Sequence, residues 1–303
     1  MSTIISSTLW QGKSKSSPLG YRIFVWLLRH AGVRAAYFLL FFVSFYYFLA
    51  SYKSSRALWE LYRRRLSFGF FKALLLIYRN YYLFGQSLID RVVVMAGIPN
   101  RFSFEFDGEE HLRSLASLEN GGILLSAHVG NWEIAGHLLK RLNTRINVVM
   151  YDAEHEKIKD YLDSVKGEKT MHVIPIRDNL SHVFEISEAL RNHELVCMHA
   201  DRFLPEQKTF REDFLGKKAK FPMGPFLLAA QFSVPVSITF SMKESSTHYH
   251  FSATNPKNYD RSSKTVFMKE LLSDFILEME KKVRAYPAQW YNYYDFWASP
   301  EKP

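Results

Sequence analysis

The stretch ILLSAHVGNWEIAGHLL, residues 123–139, carries an apolar run into His128 and, five positions later, into Glu133. An imidazole and a carboxylate on one tight strand-to-helix corner can hydrogen-bond, the carboxylate fixing the tautomer and stabilising the imidazolium. That makes His128 a candidate general base and Glu133 its orienter. Asn131 is placed to cap the following helix, whose dipole favours Glu133 in the first turn. Two other chemistries use the same residues. Ser126 shares a strand face with His128 and would be its nucleophile, but no G-x-S-x-G elbow occurs in the chain. Glu133 and His137 stand four apart with His128 nearby, yet there is no second histidine or cysteine pair at ligand spacing, so no metal is expected. A base without its own nucleophile acts on something that the substrate supplies.

The elements that would position this corner are short apolar runs at 121–128, 146–151, 171–176, 195–201 and 234–240, separated by helical stretches. Strands alternating with helices indicate an α/β domain with a largely parallel central sheet flanked by helices. Ligands meet such sheets at the carboxyl ends of the strands. Asp201 and Arg202 close another strand and so fall at the same edge as His128, as substrate contacts or as an ion pair ending the strand. In FLGKKAKFPMGP (214–225), Gly216, Pro222, Gly224 and Pro225 shape a loop. Its Lys217, Lys218 and Lys220 would hold a phosphate, an acidic carrier or a lipid headgroup, or else simply face solvent. Trp132 and the aromatic C-terminus are candidates for lining a binding groove, or plain core. Cys197 is the single cysteine, which excludes an intramolecular disulfide and a cysteine-rich zinc site. With neither a dinucleotide fingerprint nor a phosphate-binding Walker loop, no cofactor is expected.

The chain has 303 residues and a net charge of +9, with 25 Phe, 17 Tyr and 6 Trp. Its basic residues are interleaved with Leu, Ile and Phe, which favours a membrane surface as partner over nucleic acid. Residues 1–34 hold five basic side chains and no acid, and AAYFLLFFVSFYYFLASY (35–52) follows without a charge. Eighteen residues at about 1.5 Å each reach roughly 27 Å, enough to span with little tilt or to lie within one leaflet. The run starts too late and is too long for a cleaved signal peptide. Three regions follow: a membrane anchor (1–56), amphipathic helices (57–100) and a catalytic domain (101–298).

The H-x-x-x-x-E pattern in HVGNWE resembles the histidine-acid motif of the lysophospholipid acyltransferase superfamily, and its GNWE wording resembles the late-acting lipid A acyltransferase branch. HADR (199–202), FLGKKAKFPMGPFLLAA (214–230), VPVSITF (234–240) and YPAQWYNYYDFW (286–297) occur in the order and approximate spacing of that family, so the resemblance covers roughly residues 55–298. It implies a membrane-associated transferase at the cytoplasmic face of a bacterial inner membrane. His128 would deprotonate an acceptor hydroxyl that attacks an acyl thioester directly, with acyl carrier protein or acyl-coenzyme A as donor and a lipid as acceptor. Asn131, Trp132, Asp201, Arg202, the three lysines and Gly224 would contact substrate. Two departures bear on the acceptor. The branch carries an arginine near the position of Asp152 and basic residues near Asp295, where a phosphorylated acceptor would lie. An aminolipid, a phospholipid or a pigment therefore stands beside a lipid A precursor as acceptor. Water as acceptor, in a thioesterase, or a scaffold without activity are the readings from other classes.

Overall fold

A computed structural model describes residues 18–95, 97–134, 142, 144–151, 171–177, 179–204 and 207–297. His137 and Asp152 lie outside these residues. Helix α1 (Pro18–Ala50) opens with a proline at its first position and kinks at Gly32, where the backbone leaves helical geometry. Helix α2 (Tyr52–Trp59) runs into a π-helical turn (Glu60–Arg65), and α3 (Phe70–Met95) follows. The boundary expected between residues 56 and 57 therefore falls inside α2.

The α/β part begins with β1 (Ser103–Asp107) and α4 (Glu109–Ala116), then β2 (Gly122–Ser126), β3 (Ile146–Tyr151), β4 (Met171–Ile176), α5 (Ser181–Arg191) and β5 (Leu195–His199). A hairpin, β6 (Thr209–Phe214) and β7 (Lys217–Pro222), precedes α6 (Gly224–Phe232), β8 (Val236–Lys243), β9 (His248–Ala253) and α7 (Lys264–Ala285). Seven strands form one sheet in the order β1-β9-β8-β2-β5-β3-β4. Among the described strand pairs of this sheet, only β8–β9 is antiparallel. All five residues of β2 are buried, as expected for a parallel strand covered on both faces. The expected α/β fold with a largely parallel sheet is the fold observed.

The FLGKKAKFPMGP segment is a correction. It is not an irregular loop but a tight hairpin, turning through Leu215 (φ 51°) and Gly216 (φ 77°), with Lys217, Lys218 and Lys220 on β7. Two consecutive residues at positive φ make the turn whose twist matches paired strands, and glycine occupies one of them. Gly224 is the first residue of α6 rather than part of a loop.

Helix α1 packs lengthwise on α3. Ala36, Tyr37, Leu40 and Ser44 form the buried stripe, at the three- and four-residue spacing that keeps side chains on one helix face. Phe38, Phe42, Phe45 and Leu49 are left exposed. Among the described residues one stretch, His30–Ala50, is long and apolar enough to cross a membrane. Both ends of its apolar part are tied to the folded domain. The Tyr81 hydroxyl donates to Ser51 O, and Tyr37 donates to Asp90 of α3.

Asp90 is the centre of a buried polar knot. Its carboxylate also accepts from Lys243 at the end of β8 and from the Tyr249 hydroxyl on β9. Lys243 further donates to Tyr37 Oη (2.9 Å) and Ser246 O (3.2 Å). Because all these donors converge on one side chain, the knot holds α1, α3 and the sheet in one arrangement. Lys243→Met should leave the Asp90 carboxyl buried without its cation, lowering unfolding free energy by about 3–5 kcal/mol. Adding Asp90→Leu to that variant should recover much of the loss. Denaturant unfolding of the two variants checks this, and equal destabilisation of single and double variants would contradict it.

Candidate active site

Strands β2 and β5 run side by side in parallel, Gly122 opposite Leu195 and Ser126 opposite His199. The chain leaves β2 to reach β3, on the far side of β5, and leaves β5 to reach β8, on the far side of β2. Connections that diverge from neighbouring strands open a crevice at the strands' carboxyl ends. Beyond the last pair the ladder takes one more rung, Ala200 N–H to Ser126 O (2.9 Å). Continuing the same offset sets His128 opposite Asp201. Ala127 and Ala200 lie between, both fully buried, and their small side chains let the two polar residues meet.

Asp201 Oδ1 lies 2.7 Å from His128 Nδ1, and Oδ2 accepts the His128 backbone N–H at 3.1 Å. Trp290 Nε1 approaches Oδ2 at 3.5 Å. The carboxylate thus replaces a backbone carbonyl as the next acceptor of the ladder and aligns the ring in the same step. Burial of Asp201 alone would raise its pKa. The neighbouring His128, with Arg202 and His199 adding to it, outweighs burial and holds the carboxyl well below the usual carboxylate range. An ionised carboxylate only accepts, so Nδ1 carries the hydrogen facing Asp201, and in the neutral ring Nε2 has the lone pair. Nε2 has no described hydrogen-bond partner, and the Ser126 hydroxyl is not bonded to it among the described residues.

Glu133 is placed differently from expectation. Its Oε1 lies 2.5 Å from Arg91 of α3, so in place of the hydrogen bond expected between Glu133 and His128, the His128 ring donates to Asp201. The physical reason is direction. Gly130 has φ 74°, and this turn sends the chain toward α3 before the helix starts at Trp132. A Cβ at Gly130 would stand 1.9 Å from Ser241 O, so only glycine fits. Asn131 stands at the helix start, but its Nδ2 donates to Ser87 O of α3 (3.1 Å) and to Tyr249 Oη (3.4 Å). It is a buried brace between the corner and α3.

The closing segment straps the corner from the other side. Gly130 N–H donates to Gln289 O, and Tyr291 N–H to His128 O. Gln289 binds both backbone groups of Lys243, Oε1 accepting from N–H (2.9 Å) and Nε2 donating to O (2.7 Å). It extends β8 as a strand would. Arg202 donates to Tyr291 O at 2.8 Å. Asp295 is exposed and accepts from Trp297 N–H, a local turn.

His128, Asp201, Arg202 and Trp132 therefore share one edge. The hairpin lysines have no described contact with the histidine-aspartate pair, and Lys218 is ion-paired with Asp213 (2.9 Å). Three contributors went unassigned in the sequence: Arg91, the Gln289–Tyr291 strap, and His199, whose ring centroid is 4.4 Å from that of His128. The repeated small residue in SAH and HAD, one triplet ending each strand, is the signal that could have paired His128 with Asp201. Among the described residues no group of histidine, cysteine and acidic side chains has metal-binding geometry.

Fold and site together define an α/β protein with an imidazole held by a carboxylate at the strand ends and, among the described residues, without a bonded nucleophile. Residues 77–297 match the family of bacterial lipid A biosynthesis acyltransferases, and the chain belongs to that family. Phosphatidylinositol mannoside acyltransferases of Mycobacterium tuberculosis are similar to it, one at 32% identity over 41% of this chain and 39% of its own length. The counterpart of Mycolicibacterium smegmatis is 27% identical over 40% of each chain. The chain thus matches about two fifths of the length of these relatives. A 1-acyl-sn-glycerophosphate acyltransferase structure from Thermotoga maritima is only distantly alike, with TM-score 0.38 and 15% identity over 82% of this chain and 96% of that one.

Asp201→Asn puts an amide where the carboxylate stood, favours the wrong tautomer and removes the charge that stabilises imidazolium. Acyl transfer in membranes should fall roughly 10²- to 10⁴-fold. Glu133→Gln should cost less activity than Asp201→Asn and lower the melting temperature instead. Parallel rate and melting measurements check the order; a larger rate loss for Glu133→Gln would reverse the assignment.

Proposed function

We propose that this protein is a membrane-bound acyltransferase that moves a fatty acyl chain from an acyl thioester to a hydroxyl of a lipid acceptor. The observation that carries the reading is the His128–Asp201 pair with Nε2 open at the strand ends. His128 Nε2 takes the proton of the acceptor hydroxyl as its oxygen bonds to the acyl carbon. The carbon–sulfur bond then breaks, and the imidazolium returns the proton to the departing thiolate. Asp201 lowers the cost of the cation in between, the usual gain from a positioned acid-base pair. The family match supports the transfer chemistry, and acyl carrier protein or acyl-coenzyme A supplies the thioester.

For the acceptor, the mycobacterial relatives' name points to a mannosylated glycolipid, and the acidic Asp152 and Asp295 favour an acceptor with less phosphate than a lipid A precursor. The location proposed is the cytoplasmic face of a bacterial inner membrane. The exposed apolar face of α1 and the exposed Phe70 and Phe71 of α3 support membrane contact. Arg63 and Arg64 nearby favour anionic headgroups. Helix α1 lies flat along α3, so the reading is of a helix half-sunk in one leaflet.

His128→Ala should abolish transfer of labelled acyl chains to membrane lipids while the variant stays folded and sediments with membranes. Retained transfer would refute the mechanism. Equal release of free fatty acid with and without lipid acceptor, in the wild-type protein, would make it a thioesterase.

A further inference from the structure

Beside the base stands a second imidazole that this mechanism does not use. His199 ends β5 in register with Ser126. Its ring is inclined 44° to that of His128 at 4.4 Å between centroids, and meets Trp132 edge-on at 4.7 Å. It is partly exposed at the sheet edge, and neither of its nitrogens has a hydrogen-bond partner among the described residues. A phenyl ring would fill the same space, and the imidazole adds to it two nitrogens at the strand ends that no described side chain engages.

We propose that His199 is a further catalytic residue, whose neutral ring donates an N–H to the acyl oxygen of the thioester as negative charge grows there. The inference rests on His128 being the base. The acceptor oxygen must approach Nε2 of His128 to lose its proton and the acyl carbon to form the new bond. The acyl oxygen is then one bond from the reacting carbon, within reach of a donor packed against the base. The proton and the thiolate follow the path already given; His199 adds a hydrogen bond to the oxygen that bears the charge in the tetrahedral intermediate, and neither gains nor loses a proton.

The role requires a neutral ring, because a second cation would oppose imidazolium formation on His128. Burial, then the adjacent His128 and Arg202, push His199 well below the ordinary imidazole range, against the opposing pull of Asp201. A neutral imidazole keeps one N–H for donation. A donor aimed where charge develops contributes to the rate and not to substrate affinity.

The test compares wild type, His199→Phe and His199→Gln as full-length protein in vesicles of bacterial polar lipids, with palmitoyl-coenzyme A and palmitoyl-acyl carrier protein each offered as donor. His199→Phe keeps the ring against Trp132 and should lower kcat roughly 10²- to 10³-fold with KM for the thioester little changed. His199→Gln, which restores an N–H donor, should recover much of the loss. Wild-type kcat in His199→Phe, or equal losses in both folded variants, would overturn the donor role. If His199→Phe fails to fold, His199→Met makes the same comparison. Transfer by wild type with an unaffected His199→Phe removes only this inference, whereas no transfer by wild type removes the acyltransferase reading and the inference together.

Discussion

The parallel register between β2 and β5 is the constraint on which the site depends. The two strands keep one offset from Gly122–Leu195 to Ser126–His199, and the His128–Asp201 pair is that offset carried two residues past the last paired position. Backbone hydrogen bonding therefore sets the distance within the pair, and Asp201 serves as both acceptor for the ladder and partner for the ring. A slip of one residue would turn every side chain to the opposite face and separate the pair. Burial on both faces makes such a slip expensive, so the geometry is secured by the same apolar residues that form the core.

Around this pair the molecule is arranged as two clamps. Helix α3 holds one side of the corner through Ser87 O to Asn131 and Arg91 to Glu133. The segment from Pro287 to Tyr291 holds the other, with Gln289 standing in for a strand residue beside Lys243. The clamps are joined, because Asn80 of α3 donates to Ala288 O and Trp290 O. The Asp90 knot adds α1 to this frame. The exposed apolar face of α1 is thus mechanically continuous with the strand-end edge where His128 sits, an arrangement that would suit the proposed transfer from a thioester to a lipid hydroxyl.

His128, the α/β alternation and the apolar N-terminal helix are all legible in the sequence, each for a local reason. A buried parallel strand reads as a continuous apolar run, and a polar residue ending it stands out. Glu133 is the instructive contrast. It is near His128 in sequence and of suitable chemistry, but the positive φ at Gly130 redirects the chain before the helix begins, and Arg91, 42 residues earlier, claims the carboxylate. The hairpin lysines show the same limit. Glycine and lysine in FLGKKAK are compatible with an anion-binding loop or a tight turn, and pairing with β6 selects the turn.

What the sequence alone determined is the chemistry carried by single residues: an imidazole at a strand end, the absence of a serine elbow, and a basic, aromatic N-terminus. Which carboxylate serves the imidazole was decided only by tertiary structure. Asp201 is 73 residues away along the chain, and no local pattern measures that distance. It becomes a neighbour because parallel strands need a crossover between them, which places strand ends from distant parts of the chain side by side. The same crossovers brought His199 against His128 and the closing strap against both.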